Sequence, residues 1–185
     1  MSDIVCSFFG HRKISVTEEL KVKVKESIEN LINSYNVKVF LFGSRSDFDS
    51  LCHNIVTELK NTYPDLKRII YTCKSETCVY ESERLELEKI YSKILNQEVH
   101  LLCYDEEFEH KTKYSSGKAG YIERNYAMID NSDFCVFYYD ENYLPEMRKY
   151  SKSSVVFYQP KSGTALAYTY AKQKKKHIIN VFENN

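Results

Sequence analysis

Short apolar runs alternate along the chain with longer stretches whose apolar residues recur every three or four positions. Residues 4–9 form the first apolar run, ended by Gly10, and residues 17–35 carry Leu20, Val24, Ile28, Leu31 and Ile32 at helical spacing. The pattern repeats: residues 37–42, closed by Gly43, precede a stretch over 48–63 with Leu51, Ile55, Val56 and Leu59 on one face, stopped by Pro64. The same reading predicts strands at 66–73, 99–104, 134–139 and 177–182, with helices at 82–95, 120–129 and 164–175.

Short continuous apolar strands separated by amphipathic helices are the signature of βαβ units, in which helices cover both faces of the sheet. The expected fold class is therefore α/β: one Rossmann-like, doubly wound domain over residues 1–185, its sheet mainly parallel and flanked by helices. Sheets of this kind bind ligands outside the carboxyl ends of their strands, so the residues following each strand are the candidate site. One segment breaks the rhythm. Residues 140–160 are long, polar and aromatic, with a short strand expected at 154–158, and read either as a lid over the site or as an extra edge hairpin.

The strand ends carry chemistry. After the first strand, Gly10-His11-Arg12 combines a tight turn, a side chain able to donate or accept a proton near neutrality, and a planar guanidinium suited to phosphate. After the second, Gly43 and Ser44 lead to Ser46, Asp47 and Asp49. The hydroxyls are possible donors, and an Asp here either binds a ribose hydroxyl or caps the following helix. Neither a Walker A loop nor a GxGxxG fingerprint is present. Lys74-Ser75-Glu76, Glu81, Glu83 and Arg84 read as a solvated face. Farther along, Arg124 and Asn125 sit near the start of a helix, where a cation opposes the dipole and calls for an anionic partner, with Glu123 beside them. The turn Lys161-Ser162-Gly163-Thr164 opens an alanine-rich helix whose unpaired N–H groups suit a phosphate.

Composition narrows the function classes. With 26 basic and 26 acidic residues in 185, the chain has no global positive field, which disfavours sequence-independent nucleic-acid binding. No apolar run reaches membrane-spanning length, and Met1-Ser2-Asp3 does not begin a signal peptide. Six scattered cysteines without a C-x-x-C pair fit a reduced, cytoplasmic protein, and the five histidines show no metal-ligand spacing.

Phe9-Gly10-His11-Arg12, Gly43 with Phe48-Asp49, Glu123-Arg124-Asn125 with Met128 to Asp133, and Ser162-Gly163-Thr164 with Tyr170-Ala171-Lys172 together resemble the SLOG superfamily, and within it the small YpsA-like bacterial proteins. The resemblance spans essentially the whole chain and implies a Rossmann-like nucleotide-binding fold, with a homodimer as one possible assembly. Relatives in the superfamily include the LOG phosphoribohydrolases, which cleave the N-glycosidic bond of nucleoside monophosphates, and the DNA-binding DprA proteins. Arg124 matches the LOG arginine by position, whereas the LOG glutamate of PGGxGTxxE falls on Ala167, which supplies no carboxylate for an oxocarbenium-like state.

The leading expectation is thus binding or sensing of a small nucleotide, with no obligatory cofactor and a divalent ion as a possible companion of the phosphate. Gly10, His11, Arg12, Gly43, Ser44, Asp49, Arg124, Asn125, Ser162, Gly163 and Thr164 are the expected ligand contacts. The alternative is a nucleotide N-glycosidase using Arg124 with Asp49 or Glu123, and the second alternative a DNA-binding module.

Overall fold

The computed structural model describes residues 3–43, 46–113 and 118–182. In chain order the elements are β1 (Ile4–Gly10), α1 (Glu18–Tyr35), β2 (Val37–Phe42), α2 (Asp47–Leu59), β3 (Lys67–Thr72), α3 (Glu81–Leu95), β4 (Glu106–Glu109), α4 (Ala119–Asp130), β5 (Phe134–Tyr138), β6 (Arg148–Lys149), β7 (Phe157–Tyr158), α5 (Gly163–Gln173) and β8 (His177–Asn180). Local chemistry sets the helix ends. The Thr17 hydroxyl accepts the Leu20 N–H at 3.2 Å to start α1, and Asn36 closes it in the left-handed conformation at φ 55°.

Strands β4-β3-β2-β1-β5-β8 lie side by side in that order, every pair parallel. The chain winds outward from β1 to β4 and then returns to the other side of β1 with β5 and β8. The direction of winding reverses between β1 and β5, so the carboxyl ends of those two strands border the crevice that the doubly wound fold reserves for ligands. Period-two alternation along the strands divides the core into two layers. Cys6, Phe8, Phe40, Phe42, Phe134 and Val136 point toward α1 and α2, while Phe9, Val39, Leu41, Cys135 and Phe137 point toward Met128 of α4 and Ala167 and Ala171 of α5.

The fold class expected from the pattern is the one observed, but one strand is elsewhere. The apolar run 99–104 is not in the sheet; the fourth strand is Glu106–Glu109. Val99 and Leu101 donate their N–H groups to the Ser92 hydroxyl and the Glu88 carboxylate of α3, and only Tyr104 bridges to Tyr80. A strand of three glutamates and one phenylalanine is tolerated at a sheet edge, where charged side chains remain in water, but its pattern carries no apolar signal. The last strand also stops early, at Asn180, whose side-chain amide bonds both backbone groups of Tyr139. Within 140–160, β6 and β7 pair antiparallel as a separate two-stranded ribbon.

Gly10 ends β1 where α2 begins. A Cβ there would lie 2.4 Å from Phe48 Cβ, and Phe48 is itself fully buried. Gly10→Ala should therefore cost about 1–3 kcal/mol through overpacking, read as a fall in the urea midpoint with an unchanged slope. A wild-type midpoint would show that the β1–α2 contact yields freely. All six cysteines are free, and no described helix is long and apolar enough to cross a membrane.

Candidate functional site

At the switch point, the residue after β1 is His11, which is almost fully buried. Its Nε2 accepts the Asp140 N–H at 3.1 Å, and its ring stacks on Tyr143 with centroids 4.0 Å apart. Burial lowers the imidazole pKa against a smaller opposing effect of the Asp140 carboxylate, so the ring is neutral at pH 7. With Nε2 as acceptor, the proton sits on Nδ1, and this buried N–H finds no partner among the described residues. A buried donor without a partner costs about 1–3 kcal/mol, which a ligand oxygen at this position would recover. Asp140 and Tyr143 thus bring the start of the 140–160 segment onto the end of β1.

His53, buried in α2, is also held neutral by burial, although its bond to the Cys103 carbonyl at 2.6 Å opposes the shift. For both rings the folded-state pKa lies below the unfolded value of about 6.5, so the unfolded chain takes up protons first. Stability should be constant above about pH 6.5 and fall below it. Melting temperatures from pH 7.5 to 5.5 read this directly, and a curve that stays flat or rises toward pH 5.5 would contradict it.

Beside β1, the end of β2 meets α4. A Cβ on Gly43 would lie 2.5 Å from Met128 Sδ and 3.1 Å from Arg124 Nε, so glycine is what lets the Arg124 side chain pass close to the strand end. Arg124 is 3% exposed. Its Nη1 donates to Glu76 Oε2 at 3.1 Å, its Nη2 lies 3.5 Å from Asn125 Oδ1, and its guanidinium is 5.3 Å from the centre of the Tyr121 ring. Its Nε has no partner among the described residues. Glu76 is fixed in turn by the Cys73 N–H at 3.0 Å, on a loop where Lys74 and Ser75 both take φ 59°.

Gly43 and Glu76 also line a cavity of about 310 Å³, closed by Ser46, Asp47 and Ser50 of the α2 start and by Ile70, Thr77, Cys78, Val79, Leu102 and Tyr104. Its lining mixes apolar and polar side chains, and Arg124 approaches two of the lining residues, Gly43 and Glu76. That composition suits a planar or sugar-like group more than a bare phosphate.

On the same face of the sheet as α4, Ser162 caps α5 by accepting the Ala165 N–H at 3.4 Å, and Thr164 is buried. Lys118, just before α4, reaches across to the Lys161 carbonyl and so ties the starts of the two helices together. Burial lowers the Lys118 pKa, and the nearby Arg148 of β6 lowers it further. Two cations beside the positive end of a helix form an anion-attracting corner.

The expected residues separate into those that meet and those that do not. Gly43 lines the cavity, with Arg124 against it and Asn125 beside Arg124, while Gly10 and His11 stand at the switch point. Ser162, Gly163 and Thr164 open α5. Arg12 is exposed and touches α2 through its backbone, whose carbonyl accepts the Asp47 N–H at 2.9 Å. Asp49 is buried inside α2, close enough to Cys52 for its charge to raise that thiol's pKa; the cap of α2 is Ser46. Glu123 accepts the Lys113 N–H at 2.8 Å through Oε2. Ser44 lies outside the described residues. Sequence reasoning passed over Glu76, which pairs with Arg124, and Lys118; the signal for Glu76 was its place directly after a strand.

No curated protein matches the chain. The YpsA family model, that of the YspA SLOG family, matches residues 7–173, from the second half of β1 to the last residue of α5. With that match covering the β1 end, the β2 end, Arg124 and the α5 turn alike, the chain belongs to the YspA SLOG family.

Proposed function

We propose that this protein binds a nucleotide or a nucleotide-derived ligand at the carboxyl edge of its sheet, as a binder or sensor. The observation that carries the reading is Arg124: a buried guanidinium whose Nε has no partner among the described residues, against the cavity-lining Gly43, at the strand ends where doubly wound folds take ligands. Membership of a SLOG family points the same way. In this reading the phosphate lies on the amides of Gly163 and Thr164, with Lys118 and Arg124 supplying charge. The base or ribose enters the cavity beside Gly43 and Ser46, and the His11 Nδ1–H donates to a ligand oxygen.

Turnover is a separate question, and the side chains bear on it. Ala167, where LOG proteins carry their glutamate, is packed in the core between α5 and the sheet, so a carboxylate there would face apolar neighbours. Asp49 is buried within α2, and Glu123 accepts the Lys113 backbone N–H through Oε2, its buried Oε1 having no hydrogen-bond partner among the described residues. The arrangement favours binding over N-glycosidic cleavage.

A thermal-shift panel of the four nucleoside 5′-monophosphates, NAD and ADP-ribose tests the proposal. A ligand at 100 times its Kd stabilises by about 2.7 kcal/mol, a rise of roughly 5–10 °C for a chain of this size. At least one nucleotide should reach it while inorganic phosphate falls short. No rise with any of them would overturn the reading, and free base appearing in the mixtures would convert it to the hydrolase.

A further inference from the structure

Helix α3 is unlike the other helices of the sheet. Where α1 buries Leu20, Val24, Ile28 and Leu31, α3 buries none of its fifteen residues. Its apolar stripe is nonetheless well formed: Leu87, Ile90, Tyr91 and Ile94 recur at helical spacing, with Leu95 at its margin. The helix is docked through a different, polar side. Arg84 pairs with Glu88 at 3.0 Å, Glu88 accepts the Leu101 N–H at 2.9 Å, and Ser92 accepts the Val99 N–H at 3.0 Å. The apolar stripe lies beside this docking side, with Leu87 half-buried and Ile90 45%, Tyr91 44% and Ile94 70% exposed.

We propose that this stripe is the interface of a two-fold homodimer in which α3 packs antiparallel against α3 of a second copy. The charges flanking the stripe select that partner. Glu86 lies one turn before Ile90 and Lys93 one turn after it, on the same flank. A two-fold axis passing near Ile90 sets Glu86 of each copy opposite Lys93 of the other, as flanking charges do in paired helices. The acidic first turn, Glu81 and Glu83, also comes toward the carboxyl end of the partner helix, which carries Lys93, and the two helix dipoles run opposed.

Area agrees with a reversible dimer. Ile90, Tyr91, Ile94 and Leu95 together expose on the order of 400 Å² per copy, near the largest patch a monomer usually tolerates. Two copies then remove roughly 800 Å² of apolar surface, and the polar flanks bring the total toward the ~1,200 Å² lower bound of specific interfaces. Interfaces near that lower bound are commonly weak and transient, so reversible association in the micromolar range is expected. Because α3 continues directly from the cavity-lining residues Glu76–Val79 through Tyr80, the interface would also brace one wall of the cavity.

Sedimentation velocity of the full chain from about 1 to 100 µM, a range centred on micromolar affinity, reads the proposal. The wild-type protein should shift from monomer toward dimer across it. Ile94→Glu should remain monomeric at every concentration with an unchanged circular-dichroism spectrum. Glu86→Lys and Lys93→Glu should each weaken association at least several-fold, and the double exchange should restore it. A wild-type monomer at 100 µM, or a dimer indifferent to Ile94→Glu, would overturn the proposal. Failure of the charge exchange to rescue would reject the antiparallel pairing.

Discussion

Arg68→Ala destabilises the protein by about 3–5 kcal/mol, the cost of breaking an ion-pair network centred on a buried charge, and lowers the melting temperature by roughly 10 °C. The reason is the position of the guanidinium. Arg68 is 1% exposed yet carries a full charge. Its Nη2 donates to Glu81 Oε2 at 2.7 Å and Asp105 Oδ1 at 3.1 Å, its Nε to Asp105 Oδ2 at 3.2 Å, and its Nη1 to the Thr57 hydroxyl at 2.9 Å. One side chain therefore joins α2, the start of α3 and the residue before the edge strand β4. Removing it takes the shared cation from two carboxylates: among the described residues Asp105 keeps Lys60 at 2.7 Å and Glu81 keeps Arg84 at 3.4 Å. The loss is read from urea unfolding, and a change below about 1 kcal/mol would place the pair in the class of weak surface bridges.

The same cluster sets the acid limit of the fold. Burial pushes the Asp105 carboxyl up, but the hydrogen bonds from Arg68 and Lys60 outweigh it and hold the pKa at about 2. The unfolded value is about 3.9, so this depressed group contributes stability above about pH 4 and loses it as the pH falls toward 2. That acid limb should flatten in Arg68→Ala.

Arg124→Ala has the largest expected effect on binding. A hydrogen bond to a charged group contributes about 1.5–3 kcal/mol, which corresponds to roughly 10–150-fold in affinity. Arg124→Lys separates charge from shape: it keeps the positive charge and loses the planar fork, so an intermediate affinity is expected. The alanine variant also strips Glu76 of its ion pair, although Glu76 retains the Cys73 N–H. Titration calorimetry against a nucleoside monophosphate, alongside a melting curve, keeps the two consequences apart. Wild-type affinity in Arg124→Ala would assign the arginine a purely structural role, holding the β3–α3 loop through Glu76.

Much of the fold was legible because the sheet is buried on both faces. Residues 4–9, 37–42 and 134–139 are continuous apolar runs, and continuous runs are what such strands require. The edge was illegible for the same physical reason: Glu106–Glu109 faces water and carries no apolar signal, while the apolar run 99–104 packs beside α3 without joining the sheet. At the site, residues directly after strands were foreseeable from the topology rule, His11 and Gly43 among them. Glu76 looked like one of many solvated charges because its partner, Arg124, is 48 residues away, and only the fold brings them to 3.1 Å. The unpartnered Nδ1 of His11 is likewise a property of packing, since nothing in Gly10-His11-Arg12 says which nitrogen Asp140 will occupy.

The start of α5 offers the sharpest test. A Cβ on Gly163 would come no nearer than 3.9 Å to Lys118 Cε, an ordinary contact, and alanine is the better helix former. Gly163→Ala should therefore fold at least as stably as the wild type while intruding on any phosphate resting on the helix amides. Titration calorimetry of the best nucleotide from the thermal-shift panel, into wild-type protein and Gly163→Ala, measures this directly. A nucleotide site at the carboxyl edge predicts saturable binding to the wild type and an affinity at least about tenfold lower, 1.4 kcal/mol, in a variant with an unchanged melting temperature. Equal affinities in the two proteins, or no binding heat in either, would contradict it.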